Sequence, residues 1–168
     1  CVLRKRLAVK AARTECGSFS RWVSVVTATA MLLWPPVAFA QQAGPPAGVT
    51  NIVPDGRTAT QVQVNGAVST VTTKTISGPN AFNSFSHFQV GQGNTANLML
   101  PNGTRNLINL VRDSPVAING ILNSYKQGKI GGNVYFADPY GFVVGASGVM
   151  NLATLNVVTP TKDFMDSV

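Results

Sequence analysis

The chain has 168 residues, 45% of them hydrophobic and only 11% charged, with a formal net charge of +7. That length fits one domain, and a charged fraction about half the usual ~25% leaves solubility to Asn, Gln, Ser, Thr and Gly, which argues against a helical protein. Residues 1–40 hold six basic residues against Glu15, while residues 41–168 hold seven basic against five acidic; the basic excess belongs to the N-terminus and does not describe a nucleic-acid-binding surface.

Residues 1–40 have the three parts of a secretory signal. A basic stretch runs to Arg21, an apolar stretch follows from Trp22 to Trp34, and Ala38-Phe39-Ala40 gives the small-x-small pattern of a cleavage site. Cleavage is expected after Ala40, with Ala38 and Ala40 as the recognised small residues. The alternative is a membrane anchor, but Pro35-Pro36 ends the apolar run after roughly a dozen residues, short of the ~20 needed to span a bilayer. Both cysteines, Cys1 and Cys16, lie in the segment that would be removed. The mature chain would then enter an oxidising compartment without disulfides, either because it must be threaded unfolded through a second membrane or because a domain of this size needs none.

Residues 41–58, beginning QQAGPP, are expected to be a flexible mature N-terminus, followed by one domain over 59–168. Thr60–Val64 alternates strictly, Val68–Ile76 is rich in β-branched residues, and Asn65-Gly66 between them marks a hairpin. Strands are then expected within Phe85–Val90, Ala96–Leu100, Leu107–Val111, Val116–Leu122, Asn133–Ala137, Phe142–Val144, Val149–Leu152 and Leu155–Val158. Gly, Asn, Pro, Asp and Ser separate them. No apolar pattern at helical spacing exceeds two turns, so the fold is expected to be all-β. A sandwich or barrel would join its strands by hairpins, whereas the short, nearly all-apolar strands of the C-terminal half suit a solenoid. The expected architecture is a right-handed parallel β-helix with an N-terminal β-hairpin cap.

Within residues 131–151, Asp138-Pro139-Tyr140-Gly141 has the composition of a type I turn: an acceptor side chain first, proline second, glycine fourth. Asp138 is expected to brace this corner by accepting from a backbone N–H two residues on. Chemistry finds little support elsewhere. His87 is the one histidine, and past residue 40 there is no cysteine and no glutamate, so neither a zinc site nor a nucleophilic triad is suggested, and no cofactor is expected. Gly91-Gln92-Gly93 and Gly131-Gly132 lack the following helix of a phosphate-binding loop. Lys126 and Lys129 beside Tyr125 form the one local basic cluster, too small for a nucleic-acid partner.

These residues carry a resemblance. The corner Asp138-Pro139-Tyr140-Gly141-Phe142, with Asn133-Val134-Tyr135-Phe136-Ala137 before it and Val143-Val144-Gly145-Ala146-Ser147-Gly148 after it, resembles a motif of the N-terminal secretion domain of filamentous-haemagglutinin-like adhesins, the exported partners of two-partner secretion. Asn83-Ser84-Phe85-Ser86-His87-Phe88-Gln89-Val90 and Val116-Ala117-Ile118-Asn119-Gly120-Ile121-Leu122 are similar to two further blocks of that domain, in the same order, so the resemblance covers about Thr60 to Pro160. Asp138 and Tyr140 stand where the family has asparagine, and Leu100-Pro101-Asn102-Gly103 stands loosely for its separate Asn-Pro-Asn-Leu motif.

The resemblance implies a secretion-signal and folding-nucleus domain of a surface adhesin. It would be exported through the periplasm, recognised by an outer-membrane two-partner transporter and its periplasmic domains, and released or held at the cell surface, touching membranes only in transit. It implies no catalytic role. Asn83, Phe85, Phe88, Val90, Asn119, Gly120 and Asn133 are the candidate transporter contacts, and the chain is expected to be a truncated product or fragment. The alternatives are a secreted β-helical carbohydrate-active enzyme and a stand-alone secreted carbohydrate-binding protein; the sequence names no receptor.

Overall fold

The computed structural model describes residues 48–168; the expected signal, with Ala38 and Ala40, and the QQAGPP segment lie outside the described residues. Fourteen strands follow in chain order: β1 (Asn51–Pro54), β2 (Thr60–Asn65), β3 (Val68–Thr73), β4 (Ile76–Ser77), β5 (Asn80–Val90), β6 (Thr95–Leu100), β7 (Asn106–Val111), β8 (Val116–Ile118), β9 (Ile121–Lys126), β10 (Lys129–Ile130), β11 (Asn133–Ala137), β12 (Phe142–Val144), β13 (Val149–Asn151) and β14 (Thr154–Val158). Among the described residues one helix, α1 (Lys162–Ser167), follows β14.

The fold is a parallel β-helix. Three parallel ladders run along it. The first stacks β3, β6, β9 and β13, and the second stacks the first half of β5 with β7, β11 and β14. The third stacks the end of β5 with β8 and β12. The chain visits the ladders in turn, so each coil pairs with the coil just before and just after it in sequence, as solenoids do. The register is carried by side chains as well as backbone. Asn106 Nδ2 donates to Asn80 Oδ1 (2.8 Å) and Asn133 Nδ2 to Asn106 Oδ1 (2.9 Å), while Asn123 Nδ2 donates to Asn97 Oδ1 (2.9 Å) and Asn151 Nδ2 to Asn123 Oδ1 (2.7 Å). The paired asparagines lie 26 to 28 residues apart, which is the length of one coil.

Period-2 alternation sends every second side chain inward. Ala81, Leu107 and Val134 form one buried interior row, and Ala96 and Leu122 belong to another. Phe85, Phe88, Phe136 and Phe142 make a chain of tilted ring contacts with centroids 5.1, 5.2 and 5.3 Å apart. Edge-to-face pairs of this kind contribute about 0.5–1.5 kcal/mol beyond the area they bury.

The N-terminal end is sealed on all three sides by antiparallel strands: β2 on β3, β4 on the start of β5, and β1 on its second half. The β2–β3 hairpin is the one expected from Asn65-Gly66, moved by one residue. Asn65 pairs with Val68, and the loop is Gly66-Ala67 with Gly66 at φ +57°, a pattern that needs glycine first, as in a II′ turn. Other expectations are corrected. Residues 51–54, placed in a flexible segment, form β1, because Ile52 packs on the core and the strand pairs with β5. Val116–Leu122 is two strands, broken at Asn119-Gly120 where the chain turns from the third ladder to the first. The C-terminal tail is a helix, started by Thr161, whose hydroxyl accepts from Phe164 N.

Candidate functional site

The Asp138 corner joins β11 to β12 on the side of the solenoid. Asp138 is fully buried. Its Oδ1 accepts from Tyr140 N (2.8 Å), the brace expected from sequence, and its Oδ2 accepts from Val116 N (2.6 Å) in the coil below. The same Val116 N–H also reaches Gly141 O (3.0 Å), and Asp138 N donates to Val158 O (3.1 Å). One residue therefore ties three successive levels together, its carboxylate holding its own corner to the coil below and its backbone N–H reaching the strand above. Burial pushes its pKa above the ordinary 3.8, partly offset by the N–H groups of Tyr140, Val116 and Gly141.

The other corner residues divide by direction. Gly141 sits at φ +100°, a conformation that L side chains rarely adopt. Phe142 turns inward against Phe136. Tyr140 is exposed and lies near Lys162 of α1; interaction with Tyr140 first, then the nearby Asp166 and Asp113, raises the lysine's pKa.

A second polar cluster lies lower on the same side and was not foreseen. Arg112, only 6% exposed, pairs with Asp55 (Nε to Oδ2, 3.1 Å), and Asp55 Oδ2 also accepts from Ser84 Oγ (2.5 Å). The guanidinium further donates to the carbonyls of Met165 and Val168 (3.0 Å for the latter). Arg112 thus caps the end of α1 and fastens it to the N-terminal cap, while Met165 is buried. Nothing local in the sequence marks an arginine and an aspartate 57 residues apart as partners.

The candidate contact residues do not form one surface. Phe85 and Phe88 are fully buried and Val90 nearly so. Asn83 is buried too, accepting from Thr60 Oγ1 (3.0 Å) and donating to Asn109 Oδ1 (3.0 Å). Asn119 N and Gly120 N both donate to Val90 O (2.8 and 3.1 Å), and a Cβ on Gly120 would collide with the carbonyls of Gly91 and Asn94. Asn133 is a rung of the amide ladder on a different face. In the folded chain these residues build coils; Asn83, Phe85, Phe88, Val90 and Gly120 are buried, whereas Asn119 and Asn133 stay half-buried.

Among the described residues no three of His, Cys, Asp and Glu gather as a metal site would require, and Asp55 and Asp138 are committed to structural hydrogen bonds. His87 Nδ1 lies 2.8 Å from Ser114 Oγ, a rung between neighbouring coils. Comparison with known protein families, with curated proteins and with solved structures found no match to this chain.

Proposed function

We propose that this chain is a secretion-signal and folding-nucleus domain of a large exported surface protein, recognised by an outer-membrane two-partner transporter and folding into its β-helix outside the cell. The observation that carries the reading is the polarity of the solenoid. Its N-terminal end is capped by the antiparallel strands β1, β2 and β4, whereas β12, β13 and β14 at the other end continue the parallel ladders and, among the described residues, carry no antiparallel cap. Such a body grows by adding coils at its C-terminal end, and each new coil needs only the one before it. A chain emerging N-terminus first would fold its cap, then its coils, in order. The absence of cysteine beyond residue 40 suits passage in an unfolded state.

Burial of Phe85, Phe88 and Val90 refines where a transporter would bind. The outer edge of β2 has no described strand beside it and offers a site for β-augmentation in the folded domain. The β5 segment Phe85–Val90 is available only before β1 pairs with it. Replacing Phe85 and Phe88 together with serine is expected to abolish transporter-dependent release of a tagged chain. Undiminished release would count against the reading.

A further inference from the structure

The charges of the described domain are sorted by the corners of the solenoid. Where the third ladder turns back into the first, at 91–94, 119–120 and 145–148, there is no charged residue. The five aspartates past residue 40 lie where the second ladder turns into the third and α1 docks, together with Arg57, Arg112 and Lys162. The remaining corner, between the first ladder and the second, is purely basic. It carries Lys74 in the first coil, between β3 and β5, Arg105 in the second, between β6 and β7, and Lys126 and Lys129 at the β9–β10 hairpin of the third.

The fold sets these cations in a row. Arg105 N donates to Pro79 O (2.8 Å), Asn133 N donates to Arg105 O (2.9 Å), and Lys126 pairs with Leu100 of the coil below. The row therefore rises one level per coil, with levels about 4.8 Å apart. Lys74, Arg105 and Lys129 are exposed and Lys126 is half-buried, and among the described residues none of them is in a salt bridge. The row faces sideways, and the fourth coil already passes above it between Asn151 and Thr154, so further coils would lengthen the solenoid without covering it. Two of the charges act against the fold. Lys126 and Lys129 are direct cross-strand partners, an arrangement in which like charges repel, and the turn between them holds Gln127 at φ +52°, which is uncommon outside glycine. An anion between the two lysines would turn that repulsion into attraction.

We infer that this corner binds a linear acidic polysaccharide, laid along the solenoid axis with its carboxylate or sulfate groups on the row of cations. The flank of the row selects this class. Asn80, Asn106 and Asn133 stand one per coil at the start of the second ladder, half-buried and alternating with the inward Ala81, Leu107 and Val134. Asn106 and Asn133 each spend one amide N–H on the amide below, which leaves one N–H in each of those coils for a hydroxyl oxygen. Residues 74–79, 101–105 and 126–132 contain no aromatic residue on which the bases of a single strand could stack, and a row one cation wide meets only one backbone of a duplex. The exposed apolar residues here, Ile76 and Ile130, are two coils apart and make no patch for a membrane to take up. The inference goes beyond the secretion reading and does not depend on it.

The test is binding of the full chain to immobilised polygalacturonate and dextran sulfate over a salt series, with neutral dextran, duplex DNA and phosphatidylglycerol vesicles as comparisons. Residues 1–40 bring the same basic residues to every variant, so the difference between variants reads the corner. Binding to an acidic polysaccharide and not to neutral dextran is expected. Arg105→Gln with Lys129→Gln should weaken it about tenfold or more and flatten its salt dependence. Arg57→Gln with Lys162→Gln removes the same charge from another corner and should leave binding unchanged. The urea midpoint of the first pair should be no lower than that of the parent chain, so that lost binding is not lost folding. Absence of binding, equal losses from the two pairs, or tighter binding of DNA or vesicles than of either acidic polysaccharide would overturn the inference.

Discussion

At the residue scale the Asp138 corner shows how one side chain does the work of several backbone bonds. Asp138→Ala would leave Tyr140 N without its acceptor and Val116 N with only Gly141 O. The expected loss is about 1–3 kcal/mol, read as a lower midpoint in urea unfolding. Gly141→Val forces a β-branched residue to φ +100°, at a cost of about 1–3 kcal/mol, and should lower secreted yield as well as stability.

The corner also has a pH signature. Because the folded pKa of Asp138 lies above 3.8, the folded protein keeps that proton after the unfolded chain has lost it. The stability this contributes is complete below 3.8 and is lost as pH rises through the folded pKa. Asp138→Asn, which cannot titrate, should therefore gain on the parent protein as pH climbs from 3.8 toward neutrality; melting curves of the two across that range would measure it. The turn was legible because Asp, Pro and Gly act locally. The burial of Asp138 was not, since it depends on Val116 in the coil below and Val158 in the strand above.

At the scale of elements, the clearest sequence signals were those set by neighbours a few residues apart. Strict alternation found β2, and Asn-Gly found its hairpin, because strand period and turn geometry are both short-range. The capping strands β1 and β4 were missed for the opposite reason: they are short, and their partners in β5 make them strands. α1 was missed because six residues carry too little pattern, and Arg112 holds it from another coil. Arg112→Ala should cost about 3–5 kcal/mol, since it leaves the Asp55 carboxylate buried beside Ser84 without its counter-charge. Asp55→Asn in that background should then cost much less than it does alone, a non-additivity that a double-mutant cycle in urea would detect.

At the scale of the whole molecule, the solenoid was legible from short apolar strands punctuated by turn residues, and its period was present in the sequence without being read. Asn80, Asn106 and Asn133, and again Asn97, Asn123 and Asn151, recur at one-coil spacing because each amide bonds its neighbour above or below. A search for asparagine at that interval would have fixed the register in advance. The candidate contacts were less well placed, because a strand rich in Phe and Val reads the same whether it faces a partner or a core; Phe85, Phe88 and Val90 face the core.

The proposed function joins these scales: an end that seals first, coils that need only their predecessors, and a chain free of cysteine beyond residue 40. Its most direct test is to express the tagged 168-residue chain with and without a two-partner outer-membrane transporter from the same source and to assay the medium. The account predicts that the protein appears in the medium only when the transporter is present. Equal retention in the periplasm with and without it, or equal release in both, would contradict the account.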